Sequence, residues 1–290
     1  MHKNKSYLFA FTSIFCWASI AAVTKLLLVD LDSMQILCIS TFLASLTLVI
    51  INAVTKKTSV LKQYGAKDFT ILILIGILGM FFYNFFLYTA LVYLPAQEGF
   101  IINYLWPIMI VIFAAPILKE KLTAHKITAI GLSFAGIVIV VTKGNFNEID
   151  LSSPLGIIFA VFAAISYGLF SVLVKKYAYD ESISMMIFYI TAFVISFIAM
   201  NLNSSMPSLN TMQWLGLAWN GIFNCALAYT SWALALKYGE TDKIANLAFL
   251  TPFLSLVYIY FLLAEQISIY SVLGLFVIIL SIFIQNFGKR

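Results

Sequence analysis

Long apolar segments separated by short polar connections occupy almost the whole of this 290-residue chain. A helix needs about 20 predominantly apolar residues to cross a bilayer. Apolar residues make up 62% of the chain and charged residues only 10%, which is too little polar surface for a water-soluble fold. The sequence therefore predicts an all-α integral membrane protein with ten transmembrane helices, called spans 1 to 10. They cover approximately residues 7–29, 33–54, 69–92, 97–118, 124–142, 154–176, 183–202, 213–236, 243–263 and 267–287.

The distribution of basic residues predicts the orientation of these spans, because Lys and Arg concentrate in cytoplasmic loops. With the N-terminus placed inside, fifteen of the 17 Lys and Arg residues lie in inside segments, and the outside loops hold only Lys143. Lys25 lies near the outer end of span 1, where it can reach either the headgroups or a substrate carboxylate. We expect a multi-pass protein of a bacterial inner (cell) membrane with both termini cytoplasmic. Its net charge of +5 indicates contact with anionic lipid and no nucleic-acid partner.

Pairs of residues recur at equal spacing in the two halves of the chain. Each half holds five spans, an odd number, so the halves are predicted to lie in opposite orientations. Inverted repeats of this kind are typical of alternating-access transporters with a binding site near the bilayer midplane. We predict two inverted five-helix repeats, 1–144 and 145–290, around a central cavity, with the similarity resuming at about residue 152. The matched pairs are Trp17–Lys25 with Tyr167–Lys175, eight apart, and Pro107–Glu120 with Pro252–Glu265, thirteen apart.

The positions of acidic, histidine and cysteine residues limit the chemistry. All twelve Asp and Glu residues lie in loops or near span ends, and His2 and His125 are terminal or in a loop. An intramembrane carboxylate is the usual anchor for an organic cation and the usual proton carrier, so a proton-coupled cation pump is disfavoured. No His can activate a Ser or Thr nucleophile, which disfavours an enzyme. The three cysteines are widely spaced without neighbouring His, and we expect no metal and no cofactor.

Two prolines lie inside predicted spans at positions related by the repeat. Pro107 in span 4 and Pro252 in span 9 cannot donate a backbone hydrogen bond, which leaves the carbonyls of Asn103 and Ala248 without their usual donor. Freed backbone groups are tolerated in a membrane only where protein or a water-filled cavity covers them. We therefore predict helix kinks at both prolines, which either are purely structural or also line the substrate cavity.

Polar aromatic and amide side chains near the middle of the spans are the candidate substrate-binding residues. At mid-membrane such groups cannot reach the headgroups, and their O–H and N–H groups need partners. We expect them to line a central pathway, with packing inside the bundle as the alternative. A lining without fixed charge suits a neutral or zwitterionic substrate with an apolar or aromatic side chain. The candidates are Trp17, Tyr83, Asn84, Tyr88, Asn103, Trp106, Tyr167, Asn224, Tyr229 and Trp232.

Several of these motifs resemble the EamA-type drug/metabolite transporter superfamily. The ten spans in two repeats and the Pro-x12-Glu pattern that closes spans 4 and 9 are its usual marks. Glu98 followed by the run 103–107 (Asn-Tyr-Leu-Trp-Pro) is similar to the bacterial aromatic amino-acid exporter branch. Further similarities to that branch are Trp17 with Lys25, Tyr83 with Tyr93, Trp232 twenty residues before Pro252, and the run 176–178 (Lys-Tyr-Ala) that closes span 6.

The resemblance implies a ten-helix basket whose central cavity is formed chiefly by spans 1, 3, 4, 6, 8 and 9. It also implies outward transport of amino acids and related metabolites. The chain departs from the branch at Tyr167, where a Trp is usual, at Phe249, where a Tyr is expected, and at Asn84, where some members have an acidic residue. The cavity residues that the resemblance implies are Trp17, Tyr83, Tyr104, Trp106, Tyr167 and Trp232.

Together these patterns predict an alternating-access exporter of amino acids, with aromatic or large neutral ones as the expected substrates. The alternatives are the same fold carrying a nucleobase or a non-aromatic amino acid, a channel or lipid-handling protein, and a membrane enzyme. Movement down the substrate's own gradient is the simplest driving force, and coupling through Glu98 near a loop is the alternative. The expected partners are a small-molecule substrate and membrane lipid, while the oligomeric state stays open.

Overall fold

A computed structural model describes residues 2–143, 153–239, 244 and 247–287, and every regular element in these ranges is helical. The predicted repeat boundary at 144/145, Lys243 in span 9, and the terminal Lys289 and Arg290 lie outside the described residues. Seven helices are long and apolar enough to cross a membrane, and their ends agree with spans 1 to 7 within three residues. They are Lys5–Leu27, Ser33–Val54, Ala66–Tyr93, Ala96–Leu118, Ala124–Thr142, Pro154–Tyr177 and Glu181–Asn203.

Helices also occupy parts of spans 8 to 10, although residues 243, 245 and 246 of span 9 lie outside the described residues, and the count of ten spans stays a prediction. Spans 3, 4, 8 and 9 are divided into shorter pieces. In chain order the α-helices are α1 (His2–Leu27), α2 (Ser33–Val54), α3 (Ala66–Gly76), α4 (Tyr83–Tyr93), α5 (Ala96–Asn103), α6 (Trp106–Leu118), α7 (Ala124–Thr142), α8 (Pro154–Tyr177), α9 (Glu181–Asn203), α10 (Thr211–Ala218), α11 (Ala228–Tyr238), α12 (Leu250–Leu263) and α13 (Ile269–Phe287). A short 3₁₀ helix covers Lys57–Gln63.

Side-chain caps fix where several helices begin. Asp32 and Asn210 each form a reciprocal capping box with a glutamine three residues later, at the starts of α2 and α10. The Thr123 hydroxyl accepts from the Lys126 N–H at the start of α7. Such caps satisfy backbone N–H groups that have no partner inside the helix. The capping residues Asp32, Thr123 and Asn210 therefore mark where a loop ends and the next helix begins.

Spans 3 and 8 each contain a π-helical segment, where backbone hydrogen bonds run from residue i to i−5. The first, π1 (Ile77–Phe82), joins α3 to α4, and the second, π2 (Trp219–Leu227), joins α10 to α11. At the end of π2 the Ala228 N–H donates to the Phe223 carbonyl. π-Helical segments are rare and are frequently found at functional sites.

Spans 4 and 9 are interrupted just before their prolines. Helix α5 ends at Asn103 and α6 begins at Trp106, so Pro107 lies in the first turn of a new helix, where its missing N–H costs little. In span 9 the Thr251 N–H donates to the Ala248 carbonyl over 3.0 Å. The Ala248 carbonyl, expected to lack its usual donor, therefore has a donor three residues later.

Contacts divide the helices into two compact units, each of which uses both halves of the sequence. The first unit comprises Met1–Phe81 and Tyr179–Leu263, and the second comprises Phe82–Ala178 and Ala264–Arg290. One unit boundary, between residues 81 and 82, falls inside π1. The units do not coincide with the repeats 1–144 and 145–290, which stay a prediction.

Glycines allow the closest approaches inside each unit. In the first unit, a Cβ added to Gly221 of π2 would lie 2.5 Å from the Ser40 carbonyl oxygen of α2. In the second unit, a Cβ on Gly136 of α7 would lie 2.8 Å from the Gly274 carbonyl oxygen of α13. Small residues at helix contacts let backbones pack closely in membranes, where apolar burial alone gives little driving force.

Candidate functional site

Five candidate residues form a cluster in the second unit. The ring centroids of Tyr83 and Tyr167 are 4.8 Å apart, those of Trp106 and Tyr167 are 5.3 Å apart, and those of Tyr104 and Trp106 are 6.2 Å apart. These separations are typical of interacting aromatic side chains. Asn103 joins through its Nδ2, which donates to the Tyr83 hydroxyl over 3.4 Å. This set of four aromatic residues and one amide is called the second-unit cluster.

Asn103 is the polar centre of the second-unit cluster. It is the last residue of α5, directly before the interruption of span 4, and only 2% of it is exposed. Its Oδ1 is buried and accepts no hydrogen bond from any of the described residues. An unsatisfied buried acceptor costs about 1–3 kcal/mol. The cluster therefore offers aromatic faces and an unused acceptor, without a fixed charge.

Three further candidates form a separate cluster in the first unit. The ring centroid of Trp17 is 5.2 Å from that of Tyr229 and 5.3 Å from that of Trp232. Trp232 also packs against the buried core formed by Ala10, Ala235 and Ile244. The Trp17 Nε1 group is buried and has no hydrogen-bond acceptor within the described part of the chain. Trp17, Tyr229 and Trp232 are called the first-unit cluster.

Asn224, a further candidate, belongs to a buried polar network between π2 and α1. Its Nδ2 donates to the Asn220 Oδ1 over 2.9 Å, and the Asn220 Nδ2 donates to the Thr24 hydroxyl over 3.1 Å. The Trp219 Nε1 donates to the Ser19 hydroxyl over 2.8 Å. The network connects its own groups, which fits a structural role in holding π2 against α1. Sequence reasoning missed all its members except Asn224, because the partners come from two helices about 200 residues apart in the chain.

The two glutamates of the Pro-x12-Glu pattern have different partners. Glu120 accepts from the Nζ groups of Lys175 and Lys126 over 2.9 and 3.2 Å, and these two bonds hold its pKa below the usual glutamate value. Glu265 instead accepts from the backbone N–H groups of Ala96 and Gln97 over 3.0 and 3.2 Å. Equal spacing in the sequence therefore does not give equal contacts.

Glu98, the candidate coupling residue, forms an ion pair in the second unit. Its Oε1 lies 2.9 Å from the Lys143 Nζ, and 12% of its side chain is exposed. Asn84 and Tyr88 are buried, and Lys25 is half-buried near the end of α1. Among the described residues no group of three or more His, Cys, Asp and Glu side chains could hold a metal ion.

The known proteins to which this chain is similar are named as transporters. The profile of the EamA-like transporter family matches residues 4–142 and again residues 154–287. The "Uncharacterized transporter YyaM" of Bacillus subtilis (strain 168) is 26% identical over 227 residues, covering 76% of this chain and 74% of the relative. The "Aromatic amino acid exporter YddG" of Ancylobacter novellus is 26% identical over 182 residues, covering 62% and 63%.

Two further matches extend over nearly the whole chain. The "Uncharacterized inner membrane transporter YhbE" of Escherichia coli (strain K12) is 25% identical over 301 residues, covering 98% of this chain and 91% of the relative. A solved crystal structure superposes with a TM-score of 0.70 at 20% identity, covering 99% of this chain and 98% of that one. This superposition shows a shared fold.

Proposed function

The chain belongs to the EamA-like transporter family, and from this premise we propose that it exports amino acids, preferentially aromatic or large neutral ones, by alternating access. It is a multi-pass membrane transporter, and its family and relatives carry out transport. The substrate class, the direction of transport and a mechanism without covalent chemistry are parts of our proposal. The named function of the Ancylobacter relative supports the amino-acid assignment.

The proposed architecture is ten spans in two inverted five-helix repeats, with both termini in the cytoplasm of a bacterial inner membrane. The family profile matches once in each half of the chain, which supports a repeat. The interruptions before Pro107 and Pro252, and the π-helical segments in spans 3 and 8, also occur at corresponding places. Five spans per repeat require the opposite orientations that alternating access uses.

The second-unit cluster is the observation that carries the substrate assignment. Its aromatic rings provide faces and edges against which an aromatic side chain can stack, and such pairs contribute about 0.5–1.5 kcal/mol beyond simple burial. Asn103 provides a buried acceptor for an N–H or ammonium donor of the substrate. None of the five side chains carries a fixed charge, so no charged side chain of the cluster is left without a partner when a neutral molecule or a zwitterion binds or leaves.

The second-unit cluster lies next to irregular backbone, and this position suggests how transport takes place. Asn103 and Trp106 flank the interruption of span 4, and Tyr83 follows π1 directly. Interrupted and π-helical segments can rearrange with less loss of regular backbone hydrogen bonding than continuous helices. We propose that movement at these segments opens the site to one side of the membrane and then to the other. The direction of net flux is set by the gradient of the substrate.

Proteoliposome uptake tests the proposal. Radiolabelled phenylalanine, tyrosine and tryptophan are offered with and without unlabelled amino acid trapped inside. A carrier gives saturable uptake that the trapped substrate stimulates. Trp106→Ala, which removes one wall of the second-unit cluster, should lower uptake at least tenfold. Trp214→Ala is the matched control, because Trp214 lies in the first turn of α10 and is 47% exposed.

The outcomes separate the alternatives. Uptake that is saturable but equally strong in the Trp106→Ala variant would contradict the assignment of the second-unit cluster. Competition by nucleobases or non-aromatic amino acids, without competition by phenylalanine, would retain the transporter and change its substrate. Strict dependence on a proton gradient would show that transport is coupled to proton movement and is not driven by the substrate gradient alone. The buried Glu98 is then the first residue to substitute.

A further inference from the structure

Helix α5 is a short, separate helix that carries the polar centre of the second-unit cluster at its C-terminal end. It follows Pro95, which provides no side-chain cap, and it ends at Asn103, where span 4 is interrupted. All eight residues of the helix are buried. Because neither end continues into a longer regular helix, the contacts that α5 itself makes decide where Asn103 lies.

Four hydrogen bonds join the first turn of α5 to the segment 265–268, which belongs to the same unit and lies between α12 and α13. The two N–H groups that begin α5 donate to the Glu265 carboxylate over 3.0 and 3.2 Å. The side chain of Gln97 adds two bonds. Its Nε2 donates to the Gln266 carbonyl over 2.9 Å, and its Oε1 accepts from the Ser268 N–H over 2.9 Å. These four bonds are called the α5 clamp.

Gln97 is the central residue of the α5 clamp. It is only 5% exposed, and its amide uses both its donor and its acceptor on the segment 265–268. Apolar contacts have no preferred direction, whereas hydrogen bonds depend on both distance and angle. The clamp therefore fixes the height and the rotation of α5 more narrowly than the packing of its apolar residues against α8 can do.

A change at the clamped end of α5 is transmitted to the other end, because the helix is one regular piece of eight residues. A shift of α5 along its axis by the rise of one residue, about 1.5 Å, moves Asn103 by the same distance. Donor–acceptor distances in hydrogen bonds vary by only about 0.5 Å, so such a shift would separate Asn103 from the Tyr83 hydroxyl and from a bound N–H donor. We propose that Gln97 is a positioning residue for substrate recognition, an inference that rests on the proposed function. Through the α5 clamp it holds the Asn103 Oδ1 where the amino group of the substrate binds.

The test measures how strongly the transporter prefers a ligand with an amino group. Phenylalanine and hydrocinnamate, which lacks that group, compete against radiolabelled phenylalanine uptake into proteoliposomes. The wild type should prefer phenylalanine about tenfold or more, because the bond from an ammonium group to Asn103 is charge-assisted. Gln97→Met keeps the length of the side chain without its hydrogen-bonding groups, and it should lower this preference about threefold or more because Asn103 is misplaced.

A double-mutant cycle distinguishes positioning from general damage. If Gln97 acts through Asn103, Gln97→Met should have no further effect on the preference in the Asn103→Leu background, since the Oδ1 is already absent there. Gln213→Met is the matched control. Gln213 also accepts from a backbone N–H through its Oε1 and donates through its Nε2, but it does so in the first unit. This control should lower the Tm without changing the preference.

Thermal unfolding shows whether each variant is folded. If Gln97→Met does not fold, Glu265→Gln takes its place in the same cycle, because it keeps one acceptor oxygen in the clamp and should lower the preference less. A folded Gln97→Met transporter with the wild-type preference would overturn the inference and leave the proposed function standing, as would an equal loss in the wild-type and Asn103→Leu backgrounds. If the wild type neither takes up phenylalanine nor prefers it over hydrocinnamate, both are overturned.

Discussion

The contact of Glu265 with α5 gives the sharpest prediction. Helix α5 (Ala96–Asn103) has eight residues and follows Pro95, whose side chain provides no cap. Its first two N–H groups, those of Ala96 and Gln97, donate to the Glu265 carboxylate 169 and 168 residues later in the chain. Isolated helices shorter than about 12–15 residues are marginal in water, so a helix of this length depends on outside contacts. We predict that Glu265→Ala selectively destabilises α5.

The magnitude follows from the two roles of the carboxylate. Loss of an N-terminal capping acceptor costs about 0.5–2 kcal/mol. Loss of a negative charge at a helix N-terminus costs about 0.3–1 kcal/mol. The sum is about 1–3 kcal/mol, which corresponds to an equilibrium constant for the opening of α5 that is about 5- to 150-fold larger. Glu265→Gln keeps an acceptor oxygen but loses the charge, so its effect should be smaller.

Amide hydrogen exchange of the purified transporter, followed by mass spectrometry of the peptides that cover α5, measures this opening. The matched control is Glu120→Ala, which removes the glutamate of the other Pro-x12-Glu pattern. Because the partners of Glu120 among the described residues are two lysine side chains and not α5, its loss should leave exchange in α5 unchanged. Equal exchange of α5 in the wild type and in Glu265→Ala would refute the capping argument. Equal acceleration by both variants would indicate general destabilisation instead.

Three further predictions concern close helix packing, a surface charge and a buried hydrogen-bond network. Gly136→Ala places a Cβ 2.8 Å from a carbonyl oxygen of α13 and should lower stability by about 1–3 kcal/mol in thermal unfolding. Gly131→Ala in the same helix has nothing within 4 Å and should not lower it. The ion pairs that lower the pKa of Glu120 stabilise the fold at pH values above the ordinary glutamate pKa. This contribution is lost as the pH falls through the lowered pKa of the folded state. The Tm values of the wild type and Glu120→Gln should therefore converge in acid. Asn224→Leu leaves buried partners of the π2 network unsatisfied and should cost about 1–3 kcal/mol, whereas Asn201→Leu, at a site where the amide bonds only within its own helix, should have little effect.

The ends of spans 1 to 7 could be predicted from the sequence because the thickness of the bilayer sets the length of a helix that crosses it. An apolar run of about 20 residues has few alternatives in a membrane, and capping residues such as Asp32 and Thr123 mark where the helices begin. The π-helical segments could not be predicted in the same way. A π-helical segment changes the hydrogen-bond register without changing the hydropathy, so runs such as Ile77–Phe82 look like ordinary apolar helix.

The members of the candidate site were predictable as residue types, but their grouping was not. Mid-span aromatic and amide residues are few in an apolar chain, so Tyr83, Asn103 and Trp106 were recognisable. The division of the candidates between the first-unit and second-unit clusters depends on which helices share a unit, and the boundary inside span 3 has no signal in the sequence. The unpartnered hydroxyls of Thr251 and Ser255 were missed for another reason. Ser and Thr are ordinary in membrane helices, and only the absence of the usual carbonyl partner at Thr251 and Ser255 distinguishes them.

Irregular backbone and unsatisfied polar side chains occur at the same places along the chain. Asn103, whose Oδ1 has no donor among the described residues, ends α5 at the interruption of span 4, and Thr251, whose hydroxyl has no partner among them, follows the interruption of span 9. Irregular backbone inside a membrane persists only where protein or a water-filled cavity covers it. Packing alone would favour apolar residues there, because unsatisfied side chains add to the cost of irregular backbone. Under the proposed function, a substrate that binds Asn103 removes this cost in the second unit, since the interruption of span 4 then provides both a binding partner and the freedom to move.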